Sequence, residues 1–210
     1  TEINILNLQT LYTNLDLNEL VFMNIKNLTL VDCIVKYINL PKLKYFHSYL
    51  VKVDELIALS LEECFCRVST INSITAPELS ILSCPASNLT NFDHLTSLKQ
   101  LYCNECNVAS INLPNLEILD CSDTKMRNFD HLTNLTHLNC SRCSVESISL
   151  SNLTSLVFNE TDIKSLDNLP KIESITFDYY MEINNQTLVS INNRKIKFSD
   201  VKHLQNLSWL

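Results

Sequence analysis

Glycine is absent from this 210-residue chain. Turns that need a left-handed residue must then be built on Asn, Asp or ordinary side chains, so few excursions into positive φ are expected. An excess of positive charge is missing too. The net charge is −7 and the pI near 5.2, which argues against nucleic acid as a partner, because that needs a basic face. No apolar run approaches the roughly 20 residues of a membrane span, so no membrane partner is expected. The first residues lack the charged, apolar and small-residue pattern of a secretory signal. The chain starts at Thr1, not Met, so an upstream segment is expected to have been removed or left out. What is present is globular in character: 46% hydrophobic and 19% charged residues are too apolar a mixture for a disordered chain.

The informative stretch lies between 92 and 165. Phe92-Asp93-His94-Leu95-Thr96-Ser97-Leu98 recurs as Phe129-Asp130-His131-Leu132-Thr133-Asn134-Leu135, 37 residues later. Leu98-Lys-Gln-Leu101-Tyr-Cys103-Asn-Glu-Cys106 is answered by Leu135-Thr-His-Leu138-Asn-Cys140-Ser-Arg-Cys143. A half-step copy, Leu116-Glu-Ile-Leu119-Asp-Cys121-Ser-Asp-Thr124, sits between them, so the unit alternates between 18 and 19 residues. A fixed period near 20 is the mark of stacked repeats. Numbered from its first leucine-type residue, each unit is apolar or small at positions 1, 4, 6, 9, 11 and 14. The starts are Ile25, Leu43, Leu61, Leu79, Leu98, Leu116, Leu135, Leu153 and Ile172.

These Leu-x-x-Leu-x-Cys/Leu runs, such as Leu116-x-x-Leu119-x-Cys121, with a small polar residue at position 9, resemble the leucine-rich repeat family over essentially the whole chain. The Asn134-Leu135-Thr136 phrasing is similar to the short-repeat type found in internalins and in nuclear phosphatase regulators. Position 9 departs from the family's usual Asn: it holds Cys33, Ser69, Ser87, Cys106, Thr124, Cys143 and Thr161. The resemblance implies a leucine-rich-repeat solenoid with one short parallel β-strand per repeat on the concave face.

The residues support this independently. Positions 3 to 7 alternate as a strand does, so 4 and 6 face inward and 3, 5 and 7 outward. A return leg of about ten residues is too short for a helix with two turns, so the convex side should be extended or 3₁₀, with little α-helix. The connectors Ile-x-Leu-Pro-x-Leu (Ile38, Ile111) and Phe-Asp-His-Leu-Thr-x-Leu (Phe92, Phe129) differ by one residue and explain the two spacings. A single domain over 1–210 is expected. It comprises a degenerate first repeat over 1–24, regular repeats over 25–171, an irregular stretch over 172–187, a last repeat over 188–206 and an incomplete one over 207–210. Leu6, Leu8 and Leu11 should cover the first end. An uncapped last end would leave a strand edge open, either for more chain or for self-association.

Cys103-x-x-Cys106 with Cys140-x-x-Cys143 has the look of a zinc site. The two pairs lie one two-repeat period apart, however, and all nine cysteines fall on inward positions. They read as small buried hydrophobes, and neither a metal nor a cofactor is expected. Strand spacing leaves disulfides open, but an odd number of stacked buried thiols points to a reducing, cytoplasmic compartment. His94, His131 and His203 occupy matching connector positions, and Asp93-His94 and Asp130-His131 read as turn residues without a partnered nucleophile. Eight Asn-x-Ser/Thr acceptors (among them Asn88, Asn134 and Asn152) matter only if the protein is secreted or on the cell surface.

No nucleophile–base pair or open ligand set emerges, so a non-enzymatic protein-interaction module is expected. Most outward residues are small or polar, such as Ser83, Asn104, Ser122, Asn139 and Ser141. Tyr45, His47 and Tyr49 on one strand, Phe65 and Arg67 on the next, and Tyr102 two strands on depart from that rule. Aromatics and Arg are enriched at interface hot spots, so these six are the expected partner-binding residues. Glu105, Asp120 and Asp123 form a second, acidic candidate face. The resemblance implies a protein partner, a phosphatase or other signalling protein; an internalin-like adhesin or receptor ectodomain is the alternative, and a metal-binding or hydrolytic protein the weakest one.

Overall fold

The computed structural model describes residues 10–12, 16–21, 24–163, 166, 168–176 and 190–191. The chain packs as two compact units, Thr1–Asn107 and Val108–Leu210. The first holds β1 (Thr10–Tyr12), β2 (Asp16–Val21), β3 (Asn27–Val31), β4 (Ile34–Asn39), β5 (Tyr45–Tyr49), β6 (Lys52–Ile57), β7 (Glu63–Arg67), β8 (Thr70–Thr75), β9 (Ile81–Ser83) and β10 (Gln100–Tyr102). The second holds β11 (Ile118–Asp120), β12 (His137–Asn139), β13 (Ser155–Val157), β14 (Ser174–Thr176) and β15 (Ser190–Ile191). No described residue is helical.

In the first unit β1, β3, β5, β7, β9 and β10 pair side by side, all parallel. In the second, β11 to β15 do the same in chain order. The strands begin at position 3 of each repeat, and equivalent residues are partners. Leu28 faces Phe46, Phe46 faces Cys64 and Cys64 faces Leu82. Those position-4 side chains are all buried. Stacking them is what each strand gains from its neighbour, at about 25 cal/mol per Å² of apolar surface covered. Phe92 and Phe129, supplied by the 19-residue connectors, are fully buried across the coil from the strands. Each return leg ends in a tight turn: the position-1 N–H donates to the carbonyl three residues earlier, as Leu43 does to Leu40 and Leu135 to Leu132, both at 3.0 Å.

The expected extended return leg is present, and in the first unit it does more than extend. β2, β4, β6 and β8 form a second parallel sheet. These legs follow one another at a constant 18-residue offset, as in Ile34↔Lys52 and Lys52↔Thr70, so their backbones stay in register. The next leg carries the Phe92 connector with its extra residue, and pairing stops. Side chains take the place of the missing strand. Asn88 Oδ1 accepts the Ile71 N–H at 2.9 Å, and His94 Nε2 donates to Ile74 O at 3.0 Å. In the second unit connectors with and without the extra residue alternate, so neighbouring legs never match.

The backbone corrects one expectation outright. Asp32, Leu50, Val68, Ala86, Glu105, Asp123, Arg142 and Glu160 all have φ between 50° and 61°. All are position 8. The chain leaves the sheet there, and the position-8 N–H still donates to the position-7 carbonyl of the next repeat, as Asp32 does to Tyr49 at 3.0 Å and Arg142 to Asn159 at 2.8 Å. That bond fixes the left-handed residue whatever its side chain, so the lack of Gly does not mean a lack of positive φ. Such a residue costs about 1–3 kcal/mol when it is not Gly, and a β-branched one such as Val68 is the worst placed. A second correction concerns Ser122 and Ser141, expected outward at position 7. Both are buried, because each donates its hydroxyl at 2.8 Å to the position-5 side chain, Asp120 or Asn139.

Leu17 and Leu20 are buried as the degenerate first repeat requires. Ser174 and Ile175 pair with Ser190 and Ile191, 16 residues further on. Of the stretch 172–187 expected to be irregular, 172–176 are described and β14 there pairs with β13 in the same register as the other strands; its remainder, the end cover at Leu6 and Leu8, the rest of the last repeat and the partial repeat 207–210 lie outside the described residues.

Val68→Asn should raise stability by about 1 kcal/mol, since Asn tolerates the left-handed conformation that Val resists. Urea or thermal unfolding checks this; an unchanged or lower midpoint would show that position 8 stores no strain.

Candidate functional site

The outward face of the first unit's main sheet is built in rows, because equivalent positions are in register. Position 5 runs Thr29, His47, Phe65, Ser83, Tyr102 from β3 to β10. Position 7 places Val31, Tyr49 and Arg67 side by side. His47 and Phe65 stack with ring centroids 4.8 Å apart and an interplanar angle of 27°. Tyr49 and Arg67 stand exposed beside them.

These four line an open depression of about 610 Å³. The sequence-based candidates therefore divide. His47, Tyr49, Phe65 and Arg67 come together. Tyr45 is exposed one row away, opposite Glu63. Tyr102 is half-buried, separated from Phe65 by Ser83, with its hydroxyl on Gln100 Oε1 at 3.2 Å. The depression also takes in Val68, Pro85, Ala86, Asn104 and Glu105. Of these only Asn104 and Glu105 drew notice in the sequence. The register of position 8 was the signal for Val68 and Ala86: it is the first position past the strand, and there an apolar residue has nothing to pack under.

Two of the three acidic candidates, Asp120 and Asp123, are engaged within the second unit. Asp120 accepts Ser122. Asp123 takes a two-nitrogen ion pair from Arg142, whose guanidinium holds the Asp123 carboxyl below its ordinary value. His131 Nε2 bonds to Ile111 O at 2.7 Å, just as His94 bonds to Ile74. The Asp-His pairs are thus connector struts that tie one repeat to the previous one.

All nine cysteines are buried and unbridged. Position 9 turns the chain as the missing Asn would. Cys106 Sγ donates to Cys84 O and Cys143 Sγ to Cys121 O, each at 3.1 Å. Thr124 Oγ1 donates to Cys121 O at 2.7 Å, and Ser69 Oγ to Arg67 O at 3.1 Å. The two CxxC pairs are therefore the residue that follows a strand, Cys103 or Cys140, and the bend three residues on. Among the described residues no group of three or more His, Cys, Asp or Glu is arranged to hold a metal. Burial pushes the Cys140 thiol up, and the neighbouring Cys84 thiol together with burial pushes up Cys106. Native protein at pH 8 should react little with iodoacetamide and yield nine thiols after unfolding without reductant. Cys143 departs from Cys140 and Cys106, its thiol lowered to about 6 by hydrogen bonding with Cys121 and Thr124. Because Cys106 and Cys140 stay neutral when folded but ionise at about 8.5 when unfolded, their contribution to stability should be lost as the pH rises above about 9. Fewer than nine thiols, or stability rising with pH there, would contradict the buried ladder.

No protein-family profile matches the sequence, and no curated protein matches it. Solved structures do. The functional domain of InlJ from Listeria monocytogenes, which includes a cysteine ladder, is 22% identical with a TM-score of 0.58 over 88% of this chain and 49% of its own. YopM from Yersinia enterocolitica is 15% identical with a TM-score of 0.61 over 91% of this chain and 52% of its own. FLRT2, solved through its leucine-rich-repeat region in an octameric complex with latrophilin 3 and Unc5D, is 14% identical with a TM-score of 0.56 over 92% and 86%. The chain thus spans about half the length of the InlJ and YopM structures. At these identities the likeness speaks for the fold.

Proposed function

We propose that this chain, which has the leucine-rich-repeat fold, is a non-enzymatic protein-interaction module that holds its partner on the outward face of the first unit's sheet, the face expected to be concave. The observation that carries the reading is the clustering of His47, Tyr49, Phe65 and Arg67 around one open depression, with Tyr45 and Tyr102 at its margins. Aromatic rings and a guanidinium are the groups that gain most from burial against another protein. Tyr45 and Tyr49 are 37% and 48% exposed, so that gain is still to be made. The FLRT2 structure, captured with two other proteins, supports protein binding as the use of such a face. Within this class a phosphatase or another signalling protein is the proposed partner.

The cytoplasm is the proposed compartment. Nine free thiols suit it. Three acceptor asparagines also have their side-chain nitrogens engaged in joining repeats: Asn88 donates to Asn72 Oδ1, Asn134 to Pro114 O and Asn152 to Thr133 O, at 3.1, 2.7 and 3.0 Å. A glycan on any of these nitrogens would compete with that bond.

The test compares the wild-type chain with a Tyr49→Ala, Phe65→Ala double variant, each immobilised and exposed to native lysate. Proteins retained by the wild type should drop at least about tenfold on the variant, while Lys52→Ala, on the second sheet, retains them. Equal retention by the double variant would remove the face from consideration. Phosphatase activity in the retained fraction would identify the partner class.

A further inference from the structure

The depression on this face is chemically unequal from end to end. Arg67 stands at the end of β7, midway along the row of repeats that line the depression, and Glu105 stands at one margin, past β10. Two strand spacings separate them, roughly 10 Å. Neither has an ion-pair partner among the described residues. The ground between them is apolar: Val68, Pro85 and Ala86, with Phe65 beside them.

Position 8 shows that this apolar ground is a departure within the molecule. Asp123, Arg142 and Glu160 occupy it in the second unit, and Arg142 pairs with Asp123. In the first unit Asp32 and Glu105 are charged as well, but Leu50, Val68 and Ala86 between them are not, and Leu50 and Val68 are 47% and 45% exposed, with φ of 53° and 50°. These residues combine a left-handed backbone with uncovered hydrocarbon; a charged residue would avoid the second cost, and Asn would avoid the second and ease the first. Such a combination is accounted for where another molecule covers the side chains.

We infer that the depression seats an extended segment of a protein partner carrying an acidic side chain for Arg67 and a basic one for Glu105, with apolar residues between. An extended segment advances about 3.4 Å per residue and its side chains alternate between faces, so charges on the face towards the sheet with an apolar residue between them lie four residues apart. A purely acidic or purely basic segment would meet a like charge at one end. The inference rests on the reading of this face as the contact surface, and adds the chemistry of what it contacts.

The probe is a set of synthetic eight-residue peptides, acetylated and amidated, measured by fluorescence anisotropy at low salt. One has Asp and Lys separated by three leucines; others carry Asp at both places, Lys at both places, or three serines between Asp and Lys. The Asp–Leu–Leu–Leu–Lys peptide should bind at least about fivefold tighter than the other three. Arg67→Glu should transfer the preference to the doubly basic peptide, and Glu105→Lys to the doubly acidic one. Val68→Asn, which relieves backbone strain, should weaken the Leu-spaced peptide while raising Tm. Equal binding of all four peptides, binding of none at millimolar concentration, or preferences unmoved by the charge reversals would overturn the inference. If the lysate proteins still depend on Tyr49 and Phe65 in that case, the contact face stands and only the peptide chemistry falls; if that dependence is also lost, both fall.

Discussion

A strand of three to five residues has one apolar face and nothing of its own to cover it. Each repeat here is completed by the one beside it, through a backbone ladder that joins equivalent residues and a stack of side chains that repeats Leu28, Phe46, Cys64, Leu82. Because partners are equivalent residues, any feature placed on one repeat is reproduced in rows at strand spacing. That constraint forms the interior, but it also decides which surface residues can meet. His47 lies against Phe65, and Tyr49 against Arg67, because each pair shares a position number.

The same register explains why much of the fold was legible. Apolar residues at positions 1, 4 and 6 marked the strands, and the inward placement of every cysteine followed from the count. Cys106 and Cys143 were read only as small buried hydrophobes; that their thiols donate to a carbonyl at the bend emerged from the structure. What escaped was decided by backbone bonds between repeats. The left-handed residue at position 8 is held by a bond to the next turn of the chain, so composition alone gave no sign of it. The second sheet of the first unit depends on several consecutive legs having equal length, a relation between repeats that no single repeat displays. Ser122 and Ser141 were misplaced because a polar residue at an outward position was assumed to face water, whereas Asp120 and Asn139 draw their hydroxyls in.

At the site, the aromatic and Arg residues stood out against a small, polar background and were found by type. Val68 and Ala86 were not, since an aliphatic residue just past a strand reads as unremarkable until its exposure and its φ are seen together. Glu105 was grouped with Asp120 and Asp123 by charge. The geometry separates them: the two aspartates are engaged inside the second unit, and Glu105 faces the depression.

The open side of β8 shows how a sheet can be terminated without a covering element. Asn88 and His94 offer an amide oxygen and a ring N–H where a further strand would have offered a carbonyl and an amide. Asn72 extends the arrangement by joining Asn88 to Asp54. An unfolded or foreign chain seeking exposed main-chain groups there meets side chains that already occupy them. Lengthening one connector by a single residue therefore does two things at once: it ends the sheet, and it brings in the imidazole that seals the cut, protecting a crowded chain from cross-linking with its own copies through that margin.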